Sequence, residues 1–146
     1  MSKTNTFEAQ WLEHIFQNEN ISLIGDATGV QASSTAGSFY VSLHTADPGE
    51  AGDQEASEAD YTSYARVAVA RNNTAWTISG NRVSNGAAVQ FPESTGGNNL
   101  ITHFGVGTST SGAGKLLYKG ALTTSVTVTS GVQPQFTAGS LDITED

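Results

Sequence analysis

The chain has 146 residues, no cysteine, and 14 acidic against six basic residues, for a formal charge of −8. That composition excludes disulfides, thiolate nucleophiles and thiolate metal sites. Lys3, Arg66, Arg71, Arg82, Lys115 and Lys119 are scattered along the chain, where a nucleic-acid or anionic-membrane partner wants them clustered, so both kinds of partner are disfavoured.

Charged residues are 14% of the chain, against about 25% in an average globular protein. Gly, Ser and Thr are abundant, and no run approaches the ~18–20 apolar residues of a membrane span. The composition suits a turn-rich β protein. A single domain over residues 1–146 is the simplest organisation, long enough to bury about 68–70% of the surface its unfolded chain exposes. The N-terminal stretch carries Glu8 and Glu13 among its apolar residues and lacks a secretory apolar region, so the chain reads as soluble and synthesised in a cytoplasm.

The predicted elements begin with a helix over about residues 5–18. Asn5 is placed to cap it, and Glu8 stands where a capping box wants an acid. Phe7, Trp11 and Ile15 recur at helical spacing, with Leu12 and Phe16 widening the stripe. The stripe either rests on the domain's own core or docks on a neighbouring subunit. "ISLIG" (21–25) is a candidate short strand.

Beyond it the period changes to two. In "SFYVSLHT", Phe39, Val41 and Leu43 alternate with Tyr40, Ser42 and His44, which makes the second set the polar face. "YARVAVAR" repeats the alternation, and "TAWTIS" turns at "SGNR" into "RVSN" as a hairpin. Further strand patterns are "AAVQF", "LITHFGVG", "KLLYKGAL", "TSVTVTS" and "SLDIT", separated by Gly-, Ser-, Asn- and Pro-rich turns. Eight or nine short strands without crossover helices predict a mainly β fold: an antiparallel β-sandwich, of which a jelly roll is one form, with a short N-terminal α-helix.

The stretch "HTADPGEAGDQEASEADY" holds Asp47, Glu50, Asp53, Glu55, Glu58 and Asp60. Its spacing is not that of a calcium loop, and acids set among Gly, Pro, Ser and Ala read as a solvated connection rather than a catalytic pair. His14, His44 and His103 lack zinc-site spacing. "GTSTSGAGKL" departs from a phosphate loop, with Ser109 and Leu116 where Gly and a hydroxyl are needed. No nucleophile elbow is present, and two glycosylation sequons read as chance matches. No enzyme activity, metal or other cofactor is expected. Trp76, Tyr40, Tyr61, Tyr64 and Tyr118 are amphipathic enough for an interface or a sandwich rim.

Together, "FYVSLHTADPGEAGDQ", "YARVAVAR", "WTISGNRVSN" and "ITHFGVGTSTSGAGKLLYKGAL" resemble a group of small virion proteins of tailed bacteriophages. Members are often labelled tail-fibre proteins, and the group includes capsid cement or decoration proteins. The resemblance runs in order from about residue 7 to near the C-terminus and implies a structural role in the virion. A short chain without repeats, unlike a fibre shaft, favours a cement protein on the capsid surface that bridges subunits of the major capsid protein. The alternative is a tail or tail-fibre-associated structural or adhesion protein bound to tail proteins. Self-association as a dimer or higher oligomer is expected, through exposed strand edges and the helix. The candidate contact residues are Phe7, Trp11 and Ile15 on the helix and Asp53, Glu55 and Glu58 in the acidic stretch.

Overall fold

The computed structural model describes residues 1–146. An α-helix, α1 (Asn5–Leu12), runs into a π-helical turn, Glu13–Gln17. Nine strands follow: β1 (Ser38–His44), β2 (Val67–Ala70), β3 (Trp76–Ser79), β4 (Arg82–Asn85), β5 (Val89–Gln90), β6 (Asn99–Gly107), β7 (Leu116–Val128), β8 (Gln135–Phe136) and β9 (Asp142–Thr144). The protein is mainly β, with antiparallel sheets and one short N-terminal helix, as the periodicity predicts. The sheets have the strand orders β2-β1-β6-β7, β3-β4-β9 and β5-β8.

The chain divides into two compact units: Met1–Gly37, Ala70–Ala88 and Thr137–Asp146 form one, and Ser38–Val69 with Val89–Phe136 forms the other. The first holds the helix and the three-stranded sheet. Its core collects Leu12, Phe16, Trp76, Val83, Leu141 and Ile143, and the Phe16 ring meets Trp76 edge-on at 4.8 Å. The β3–β4 hairpin turns on Gly80 and Asn81, and Gly80 takes φ +62°, the positive angle a tight hairpin requires at its first loop residue. Asn85 is buried; its amide donates to the Ala87 and Thr137 carbonyls and accepts from the Leu141 amide, tying β4 to the segment leading into β9.

In the second unit the four-stranded sheet carries Val41, Leu43, Ile101, Phe104 and Val106 into its core. The β5–β8 ribbon lies over it through Phe136, whose ring meets Phe104 at 5.8 Å and Phe91 at 6.2 Å. Gly120 stands opposite Phe104 on β7, and a β-carbon there would come within 2.7 Å of the Phe104 ring. That bare position lets the ring lie across its neighbour strand.

Four expectations about elements are corrected. The helix begins one residue earlier than the capping box implies: Thr4 is the cap, no side chain caps it, and the Glu8 amide bonds to the Thr4 carbonyl at 2.9 Å. The helical face turned fully inward is Glu8, Leu12 and Phe16, while Phe7, Trp11 and Ile15 are only half-buried. Residues 21–25 form no strand. Leu23 and Gly25 adopt positive φ, which breaks the extended chain, and Ile21 makes a single bridge to Val30. "KLLYKGAL" and "TSVTVTS" are one strand, β7, continuous because β6 is long enough to pair with both halves.

Candidate functional site

The acidic stretch is an ordered cover over the end of the four-stranded sheet. Its backbone bonds to β1 and its neighbour at Thr45 N to Ser57 O (2.8 Å) and Ala59 N to Leu43 O (2.8 Å). Gln54 is fully buried: its backbone amide donates to Ala113 O, its side-chain carbonyl accepts from the Ser109 amide, and its side-chain NH₂ reaches Tyr40 O. Gly107 and Gly114 leave the space that the Gln54 amide occupies.

Glu58 holds this cover down. Arg66 grips its carboxylate in a two-pronged pair, Nε to Oε1 at 2.6 Å and Nη2 to Oε2 at 2.7 Å. The Tyr64 hydroxyl donates to the same carboxylate at 2.8 Å while accepting from the Leu43 amide at 3.0 Å. The remaining guanidinium donors go to the Ser109 and Gly112 carbonyls, so one arginine joins three segments. The Arg66 side chain is 2% exposed. The Glu58 carboxylate raises the guanidinium pKa above its ordinary value, and burial opposes that shift. Burial, reinforced by the Glu58 charge, pushes the Tyr64 hydroxyl far above the usual tyrosine range.

Beneath the cover lie Ser42 and His44, both fully buried. The His44 ring meets the Ala56 carbonyl with Nδ1 at 2.9 Å and the Ser42 hydroxyl with Nε2 at 2.8 Å. A carbonyl only accepts, so Nδ1 carries the proton and Nε2 accepts from serine. Burial lowers the His44 pKa below 6.5, more than the nearby Glu58 charge restores. Gly105 supplies the room: a β-carbon there would lie 2.7 Å from His44 Nε2, Ser42 Oγ and Leu116 Cδ1. The Ser–His contact therefore faces β6 backbone rather than a substrate, with a main-chain carbonyl in the place where a triad puts its acid.

The other acids of the stretch are spread apart. Asp47 and Glu50 both meet Lys119 at 3.0 Å. Asp53 accepts from the Glu55 amide and Asp60 from the Asn99 side chain. No three His, Asp or Glu side chains converge on a point where a metal ion could sit. The expected solvated connection is thus corrected to a packed one, because Arg66, Gln54 and the underlying glycines give it an interior. Beside it, Gly49, Glu50 and Gly52 face Leu116–Lys119 across an open cleft of about 260 Å³.

The candidate contact residues are accordingly separated. Glu58 is committed inward, Asp53 is half-buried, and Glu55 is exposed. His44 and Ser42, placed by alternation on a polar face, are interior because the acidic stretch covers that face. Trp76 and Tyr61 are core residues rather than rim residues, and Tyr64 turns its hydroxyl inward. Arg66 and Gln54 carry no local pattern that marks them: their partners lie up to 55 residues away in sequence.

Residues 2–144 match the family described as Podophage GP4 fiber I protein gp80. The chain belongs to that family. This fibre-family chain is therefore a structural protein of a tailed-phage virion, in agreement with the resemblance drawn from its sequence. No curated protein matches it. No helix of the fibre-family chain is long and apolar enough to cross a membrane.

Proposed function

We propose that this protein is a tail-fibre component or a fibre-associated structural part of the phage tail, acting through protein contacts and without catalysis. The family match over residues 2–144 carries this reading, since the description names a fibre protein. The architecture agrees with it. The most enzyme-like pair, Ser42 and His44, is sealed from solvent, and Glu58 serves as an internal tie. Capsid cement, favoured by the short length and absence of repeats, has no support in the family description, and tail proteins are the partners that the fibre reading implies.

The contact surface we assign to the tail is the half-exposed helical seam of Phe7, Trp11 and Ile15 in the first unit; in the second unit Asp53 and Glu55 are a separate candidate contact. Glu58 drops out of that set because Arg66 holds it. Gold-labelled antibody against the protein, applied to purified particles, tests the location. Label confined to the tail is expected; label spread over the shell, with copies in a fixed ratio to the major capsid protein, would overturn the fibre reading and restore the cement one.

A further inference from the structure

Strand β7 lies at one end of the order β2-β1-β6-β7, so β6 bonds one side of it and no strand bonds the other. At 13 residues it is the longest strand, and Ala121 and Thr123–Thr127 are exposed. Protected edges are short, charged, bulged or interrupted by proline. The opposite edge follows that rule: β2 is four residues long and runs into Arg71. β7 breaks it in all but its bulged register. It contains no proline, and its single charge, Lys119, is already neutralised by Asp47 and Glu50. From Gly120 to Leu141 there is no charged residue, in a molecule of net charge −8. A second copy meets no like charge along that segment.

The ladder with β6 also fails at the middle of this edge. Ile101 pairs with Val126 and His103 with Ala121, so β7 uses five steps where β6 uses two. Residues 122–125 are left without partners in β6. Thr124 stands at the middle of the stretch from Ala121 to Thr127, of which all but Leu122 are exposed, so it is the part of the open edge that a further strand reaches most directly.

We propose that β7 pairs antiparallel with β7 of a second copy, about a two-fold axis near Thr124. This register places Thr124 against Thr124 of the partner subunit, Thr123 against Ser125 of the partner subunit, and Leu122 against Val126 of the partner subunit. Threonine and apolar pairs of this kind stabilise facing strands. The two acidic turns at Asp47 and Glu50 then fall at the far ends of the joint, and the four-stranded sheets fuse across it. An isologous contact of this form closes as a dimer. Pairing through β7 goes beyond the fibre reading and holds wherever in the particle the protein sits.

The absence of native cysteine makes the test clean. Thr124→Cys should form a covalent dimer on mild oxidation about tenfold or more faster than Thr110→Cys, an exposed control in the 108–114 loop, because pairing raises the local thiol concentration. Light scattering should give a dimer mass for the unmodified chain, shifting to monomer for Val126→Lys with its circular dichroism unchanged. Added salt should leave the dimer intact or strengthen it, since the joint contains no ion pair. A monomeric or trimeric mass, equal oxidation rates for the two cysteine variants, or a dimer that Val126→Lys leaves unchanged would overturn the proposal. So would dissociation of the dimer by salt.

Discussion

Gly105 makes room for a buried histidine by having no side chain at all. Gly105→Ala would press a methyl group to within 2.7 Å of His44, Ser42 and Leu116. Overpacking of this kind should cost about 1–3 kcal/mol, measured by denaturant unfolding. Glu58 and Arg66 make the opposite kind of demand. Arg66→Leu removes the partner of a carboxylate whose side chain is 16% exposed and leaves the Ser109 and Gly112 carbonyls without their donor. A loss of about 3–5 kcal/mol is expected from equilibrium unfolding, well above the usual value of a surface pair. A loss under about 1 kcal/mol would show that the acidic stretch is held mainly by its backbone bonds.

At the scale of elements, the first helix depends on a residue far along the chain. The π-helical turn Glu13–Gln17 ends at Asn18, which adopts the left-handed conformation at φ 61°. The His14 and Ile15 carbonyls are met by the Arg71 guanidinium, at 2.7 Å and 2.6 Å, and a third donor goes to Ala36 O at 3.0 Å. Arg71 thus stands at the helix C-terminus both as hydrogen-bond donor and as cation, a position where helix carbonyls favour positive charge. Arg71→Ala should cost about 1–3 kcal/mol and fray the N-terminal segment, seen as faster amide exchange over residues 12–18. Unchanged exchange there would show that the half-buried Phe7–Trp11–Ile15 seam and the Leu12–Phe16 face hold the helix unaided. β7 likewise shows how far an element's identity depends on its neighbours: two strand patterns become one strand because β6 pairs with both of its halves, across a register break.

For the molecule as a whole, the pH response follows from the buried histidine. The His44 pKa is lowered below 6.5 by burial. Above that value both the folded and unfolded chains hold it neutral, and it contributes no pH dependence. As the pH falls through 6.5, the unfolded chain takes up a proton that the folded one resists, so stability is lost. Around the ring stand the Glu58 carboxylate, which favours protonation, and Arg66 and His103, which oppose it. Asp26 and Asp47 are held below 3.8 by backbone and side-chain donors, so their contribution disappears only in stronger acid. The melting temperature should therefore decline between pH 7 and pH 5, and His44→Gln should flatten that decline relative to the native chain. Equal slopes for the two proteins would remove His44 from the acid response.

Strand and helix patterning, turn residues, the absence of cysteine and the negative charge were legible without any coordinates. They are local or compositional properties, and alternation in "SFYVSLHT" or hairpin chemistry in "SGNR" works over a few residues. The family was legible for a related reason: its motifs are continuous in the chain. Only the tertiary structure decided which face of the helix is buried, that the acidic stretch covers Ser42 and His44, and that Arg66, Gln54 and Arg71 bind together segments distant in sequence. Burial and pairing are set by what arrives from elsewhere in the chain, and no local pattern records that arrival.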